Sequence, residues 1–274
     1  MIPSYLYHYT SVDTLLKVLT TTSIRFKRLD LMNDPLEGLL EKFQNTRKFV
    51  FSSSWSAQSM DEIPMWKMYN NHKGIRLKMP IDLFDHEKNM VVSKIGRSNN
   101  YLINTKLDRI YSAYKSGFVF KEGQDKRAFE FSKVYGPTKI EYTSNQDQIY
   151  KDIVRKDFKI VDFDFYEIDL NLIGQKKIDY WSFEKEYRFR LFLGDAIMIA
   201  GSENVLTNIH KEYPIAFEYV DVSFRKQALE DIEIILGPLT TDEDKIQIEL
   251  KLIELEIKQY TIEKSKIKIT APNK

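Results

Sequence analysis

The chain has 274 residues with 41 basic and 40 acidic side chains, a net charge of +1, so no global field draws it to nucleic acid or to anionic lipid. An apolar share of 43%, with 13% aromatic and 30% charged residues, is that of a folded protein with a sizeable core and excludes a disordered or low-complexity chain. There is no cysteine, which excludes disulfides, thiolate nucleophiles, cysteine-based zinc sites and iron–sulfur clusters.

The opening MIPSYLYHYT lacks a basic segment followed by an apolar run and a small-residue cleavage site, and reads as no secretion signal. No apolar run approaches the roughly 18 residues that span a bilayer. The expectation is a cytoplasmic protein with no membrane partner.

In chain order, Tyr5 to Tyr9 reads as a short strand, and Thr10 with Asp13 as the capping box of a helix of about three turns carrying Leu15, Leu16 and Leu19. SIRFKRLD alternates Ile24 and Phe26 with basic outward residues, as a strand does. Asn33-Asp34-Pro35 reads as a turn that starts a short helix, because the residue before proline is driven out of the helical region. KFVFSSSW is a strand ending in hydroxyls, and IPMWKMYNNHKGIRLKM a helical turn, a bend at Gly74 and a strand.

Residues 82–127 are poorly patterned around one helix-like segment, Leu107, Ile110, Tyr111 and Tyr114, and are taken as an insertion. FEFSKVYGPTKIEYTS predicts strands about a turn at Gly136-Pro137. Ser144 with Asp147 predicts a second capping box, on a helix presenting Ile149, Ile153 and Val154. SFEKEYRFRLFL alternates Tyr187, Phe189 and Leu191 against Glu186, Arg188 and Arg190, and YPIAFEYVDVSF and DIEIILGP are further strands. The last piece is a helix opened by Asp242, Glu243 and Asp244, which suit the positive end of its dipole, followed by a basic alternating strand. No linker or internal repeat divides the chain, so residues 1–274 are read as one α+β domain, with mixed or antiparallel sheets flanked by helices and an insertion at about 82–127.

Phosphate loops of the G-x-x-x-x-G-K-[ST] type, G-x-G-x-x-G turns, G-x-S-x-G elbows and H-E-x-x-H helices are all absent from the sequence. This disfavours the common nucleotide hydrolases, dinucleotide-binding folds, α/β-hydrolases and zinc peptidases. His8 is one of four histidines; a neutral imidazole could hold a ribose diol or shuttle a proton, but a ring packed at a strand end against a carbonyl is the commoner case. Tyr7 and Tyr9 alternate with it and should face away. Trp66, Tyr69 and His72 recur by threes, so one helical side could stack on a planar ring, although such a stripe is more often core. Asn33, Asp34 and Glu37 could reach a metal with His8 or His72, yet the same residues make an ordinary turn and cap. Glu184 and Glu186 bracket Lys185, and a carboxylate there could stabilise an oxocarbenium-like centre; the plainer reading is a Glu186–Arg188 ion pair, worth little if exposed.

The pieces LYHYTSVDTLL, LMNDPLEG, FVFSSSWS, MWKMYNNHKGIRL, YWSFEKEYRFRL and IEIILGPL, in this order, resemble the bacterial domain-of-unknown-function family 2971, from about Leu6 to the final strand. The Tyr-His-Tyr-Thr opening is in turn similar to the start of ADP-ribosyltransferase-like domains, which split NAD at the nicotinamide–ribose bond. The resemblance implies an ADP-ribosyltransferase-like core with NAD as substrate, no metal, and a macromolecular acceptor that stays open. It gives His8 the ribose and Glu186 the catalytic role, with Glu184 completing a Glu-x-Glu pair. Thr10 beside His8, Ser53 within the Ser52–Ser54 run, the Trp66, Tyr69 and His72 cluster, and Arg188 at the pyrophosphate or behind Glu186 complete the implied binding set. Glu186 is then a surface-cleft residue whose change to Gln costs under roughly 0.5 kcal/mol. A toxin or phage-defence setting is a matter of context on which the residues are silent.

Two other readings stay open. One is metal-dependent nucleic-acid processing, with RFKRL and KSKIKI on phosphates and Asp34, Glu37 and Glu186 on the metal. Near-zero net charge and the absence of a lysine two residues after Glu186 stand against it. The other is a non-catalytic module binding a nucleotide or peptide in a cleft of Trp55, Trp66 and Tyr69.

Overall fold

The computed structural model describes residues 3–40, 44–84, 90–95, 103–105, 118–122, 125–131, 134–151, 153–160, 163–168, 172–195 and 218–270. In chain order, β1 (Tyr5–Thr10) leads to α1 (Val12–Thr21), β2 (Ser23–Arg28), two 3-10 turns (Leu29–Leu31 and Gln44–Phe49), β3 (Val50–Ser56), α2 (Ile63–Asn70) and β4 (Ile75–Pro80). The middle holds β5 (Met90–Ile95), β6 (Ile103–Thr105), β7 (Phe118–Glu122), β8 (Asp125–Phe131), β9 (Tyr135–Lys139), β10 (Glu141–Thr143), α3 (Gln146–Tyr150), β11 (Val154–Ile160), β12 (Phe163–Ile168) and β13 (Lys176–Ile178). A 3-10 turn, Asp179–Glu184, then delivers β14 (Glu186–Asp195), followed by β15 (Tyr219–Ser223), β16 (Ile232–Leu236), α4 (Asp242–Glu254) and β17 (Tyr260–Lys264).

Among the described residues, thirteen strands join one mixed sheet, in the order β17-β16-β4-β1-β3-β2-β15-β5-β6, with β14 on β3, β8 and β9 on β14, and β7 on β8. Most neighbours are antiparallel, but β16 and β17 run parallel, from Ile232↔Tyr260 to Leu236↔Lys264. A parallel pair needs a crossover, and α4 supplies it. The class is α+β, as its sequence pattern predicts.

The feature that makes a site possible lies on β3. β14 follows one edge of β3 throughout, from Glu186↔Ser56 to Phe192↔Val50. β1 and β2 therefore share the other edge. β1 touches it at Tyr7↔Ser56, while β2 pairs at Lys27↔Ser52 and Arg28↔Phe51. Between these contacts the two strands part, and among the described residues the edge at residues 53–55 has no ladder partner.

Alternation settles which side of the fork is core. Tyr187, Phe189 and Leu191 of β14 are buried with Phe51 and Trp55 of β3. Phe189 meets Trp55 edge-on at 6.2 Å and Phe84 at 5.0 Å, and Phe84 meets Phe26 at 5.5 Å. α1 covers this layer with Val12, Leu15, Val18 and Leu19, and α4 adds Ile248 and Leu252. The other face of β14, Glu186, Arg188 and Arg190, is equally buried, so the expected solvent side is a second interior.

Local expectations are corrected in several places. α1 is capped by Ser11, whose hydroxyl accepts from the Thr14 N–H at 3.1 Å, because Thr10 is still paired in β1 opposite Ile75. α3 is capped by Asn145 rather than Ser144 and ends at Tyr150, since Val154 already belongs to β11. Gly136 and Pro137 lie inside β9; Gly136 has φ +111° and its Cβ position is 2.3 Å from the Arg188 carbonyl, so this close crossing of β14 admits glycine and not a turn. Asn33-Asp34-Pro35 makes a turn, closed by the Glu37 N–H on the Asp34 carbonyl at 3.2 Å, and residues 35–38 continue as turn where a short helix was expected.

Within 82–127, β5 pairs with β15 and β6 with β5, extending the sheet, while β8 runs past residue 127 and meets β14 at Phe129–Phe131. The helix-like segment expected around 107–114 lies outside the described residues. No helix of the described residues is long and apolar enough to cross a membrane.

Candidate functional site

A cavity of about 230 Å³ occupies the fork between β1 and β2. Its walls include Tyr7, His8 and Tyr9 of β1, Arg25 and Lys27 of β2, Asn33 and Glu37 of the following turn, and Ser52–Ser56 of β3. Met65 and Tyr69 of α2, with Lys177, Glu184, Glu186 and Arg188, close it. All three residues of Tyr7-His8-Tyr9 line it, against the expectation from strand alternation. The cavity opens on the edges of the parted strands, where both faces are within reach.

His8 answers the open edge of β3. Its Nδ1–H donates to the Ser54 carbonyl at 3.0 Å, inside the gap, and its ring lies 4.9 Å from that of Trp55. Burial pushes the imidazole below its ordinary value and the Ser54 bond only partly restores it, so the ring is neutral at pH 7, with Nε2 left as an acceptor. The packed ring bonded to a carbonyl and the cavity residue are thus the same histidine.

The carboxylates are built into a buried ionic network. Glu186 accepts from Arg188 Nε at 2.5 Å, from Arg188 Nη2 at 2.9 Å and from Lys177 Nζ at 3.1 Å. Glu184 accepts from Lys177 Nζ at 2.6 Å and from the Tyr69 hydroxyl. Arg188 also donates to the Gly174 carbonyl at 3.0 Å and lies against Glu37 Oε1. Gly174 holds φ +71°, with its Cβ position 2.9 Å from Leu29, so only glycine presents that carbonyl without strain. The Tyr142 hydroxyl accepts from the Glu186 N–H at 2.9 Å and fixes the start of β14.

Burial sets the electrostatics. It drives the Glu186 carboxyl up to about 7; Lys177 and the Ser54 hydroxyl pull it down, while the Glu184 charge adds to the rise. Burial also lowers Lys177, but the Glu186 and Glu184 charges outweigh it and hold the ammonium above its ordinary value. Burial and then the Arg190 charge press Arg188 down to about 9, opposed by Asp34, so the guanidinium is still charged at neutrality. Tyr69 is raised by burial and by the Glu184 charge, and remains a donor.

Of the residues singled out from sequence, His8, Ser53, Tyr69, Glu184, Glu186 and Arg188 meet at this cavity. Thr10, Trp66 and His72 do not. Thr10 ends β1, its carbonyl receiving the Asn70 amide at 3.3 Å. Trp66 is fully buried, edge-on to Tyr9 at 4.9 Å, with Nε1–H donating to Asp61 at 3.1 Å. α2 stops at Asn70, and Asn71 (φ 48°) and His72 (φ 68°) are both left-handed, which swings His72 off the row that spacing by threes assumed. Ser53 accepts from Trp55 Nε1 at 3.0 Å, and Trp55 is packed in the core. Of the aromatic cleft expected from Trp55, Trp66 and Tyr69, Trp55 and Tyr69 line the cavity and Trp66 does not.

Glu186 is 3% exposed, not a surface-cleft residue, and its pair with Arg188 is interior. Arg188 is bound by protein partners where a pyrophosphate was expected. The three-carboxylate metal site of Asp34, Glu37 and Glu186 is not assembled either: the Arg188 guanidinium stands between Glu37 and Glu186, and the described residues form no group of three or more potential ligands. Lys177 escaped sequence reading because Lys176 beside it is chemically identical; only the parallel register Tyr142↔Lys177 turns one of the two inward.

Compared with protein-family models, with curated proteins and with solved structures, the chain matches none.

Proposed function

We propose that the fork cavity binds a nucleotide and cleaves its N-glycosidic bond, with NAD as the substrate, on an ADP-ribosyltransferase-like core of the kind the family 2971 resemblance implies. The observation that carries the reading is that His8 of the first strand and Glu184 and Glu186 at the start of a late one line a single cavity. At about 230 Å³ the cavity is below the roughly 300–1,000 Å³ of a drug-sized ligand site, so it encloses one ring-sized part of a dinucleotide while the rest lies across the rim.

The chemistry asks for negative charge beside a ribose. As the C1′–N1 bond of NAD breaks, its electron pair leaves with nicotinamide and cancels the pyridinium charge, while C1′ becomes oxocarbenium-like. Glu184 and Glu186, anchored by Lys177 and Arg188, stabilise that centre as carboxylates in a water-poor site. A carboxyl poised near 7 is matched to accepting the proton that water or another nucleophile loses on attacking C1′. Neutral His8 offers Nε2 to a ribose hydroxyl.

The test is free nicotinamide, measured by mass spectrometry after incubation with NAD. Wild-type protein should release it, and Glu184→Gln, Glu186→Gln and His8→Ala should each lower the rate at least about a hundredfold. Absence of release at millimolar NAD, or unchanged rates in all three variants, would overturn the reading.

A further inference from the structure

The two glutamates of the Glu-x-Glu pair have both carboxylate oxygens engaged, Glu184 by Tyr69 and Lys177, and Glu186 by Arg188 and Lys177. Glu37 differs. Its Oε1 lies against Arg188, but Oε2 has no hydrogen-bond partner although the residue is 1% exposed. Ser52, also 1% exposed, has an unpartnered Oγ. Both line the cavity. Register sets them on one side of the sheet: Ser52 pairs with Arg190 and Ser54 with Arg188, so Ser52 shares the face of β3 and β14 on which Arg188 meets Glu37. A buried acceptor and a buried hydroxyl left unsatisfied are each costly, unless something that binds there completes them.

We infer that Glu37 and Ser52 form a subsite for an uncharged carboxamide on a planar ring. Resting on the proposed nucleotide cleavage, this subsite is the one that takes the nicotinamide leaving group. Glu37 Oε2 accepts from the amide N–H, and the Ser52 hydroxyl donates to the amide carbonyl. Tyr7, Tyr69 and Met65 supply the apolar wall for the ring. The same arrangement discriminates: replacing the amide by a carboxylate removes the donor that Glu37 needs and sets two negative charges against each other.

The experiment is calorimetric titration of the full chain with nicotinamide and with nicotinate at pH 8, in parallel with NAD turnover on the same samples. Nicotinamide should bind at least about tenfold more tightly than nicotinate. Ser52→Ala deletes a buried hydroxyl that has no partner in the free protein, so it should not lower the melting temperature and should weaken nicotinamide about tenfold. Glu37→Gln should narrow the nicotinamide–nicotinate preference. Equal binding of the two rings, no binding of nicotinamide, or unaltered affinity in Ser52→Ala would overturn the assignment. Amide selectivity without NAD turnover would uphold the subsite and overturn the cleavage reading; turnover without amide selectivity would do the reverse.

Discussion

Replacing Arg188 by Met tests whether the interior of the β14 face is held by charge. The side chain is 1% exposed and serves Glu186 through two hydrogen bonds, Gly174 through one, and Glu37 by direct contact. Methionine fills similar space but carries no donor, so Glu37 loses the cation that lies against it and Glu186 is left with Lys177 alone. Removing one partner of a buried pair costs about 3–5 kcal/mol, which at 2–4 °C per kcal/mol lowers the melting temperature by roughly 6 to 20 °C. The loss should be greatest near pH 8 and smaller near pH 5, where Glu186, titrating about 7, can take a proton in place of the missing cation. Adding Glu186→Gln to Arg188→Met should recover part of it by removing an orphaned charge. Urea unfolding of the three proteins at both pH values measures this. A loss under about 1 kcal/mol at pH 8, or one that grows on acidification, would refute the idea that Arg188 neutralises Glu186 and Glu37.

The Glu186 carboxyl and the α1 cap give two further expected outcomes. A carboxyl whose folded value is raised to about 7 binds its proton more tightly in the native state, so its contribution to stability is complete below the ordinary carboxyl range near 4.5 and is lost as pH climbs to about 7; melting curves of wild-type and Glu186→Gln across that window should diverge, the wild type losing more as pH rises, and parallel curves would remove the claim. Ser11→Ala should destabilise by about 1 kcal/mol through loss of the α1 cap, whereas Thr10→Ala should leave that cap intact; amide exchange in the first turn of α1 distinguishes the two, and protection lost in Thr10→Ala instead would restore the cap to Thr10.

Much of this protein was legible in its sequence, and the reason is local. β1, α1, β2, β3, α2 and α4 follow from alternation, helical spacing, Pro64 at the head of α2 and acids in the first turn of α4, all of which act within a few residues of chain. The resemblance brought forward His8, Glu184 and Glu186, and these do line one cavity. Charge patterning was a poorer guide. Alternation on β14 separated Glu186, Arg188 and Arg190 from Tyr187, Phe189 and Leu191, but alternation says only that two faces differ, not that the polar one meets water. Burial of that face depended on β13, the 3-10 turn before β14 and Glu37 from 150 residues upstream closing over it. The fork of β1 and β2 on β3, the inward choice of Lys177 over Lys176, and the left-handed pair that withdraws His72 are likewise products of pairing between distant segments. Sequence carries local preference and period; which edge stays open, and which charge is thereby trapped without water and must find a partner, is decided only when the sheet is assembled.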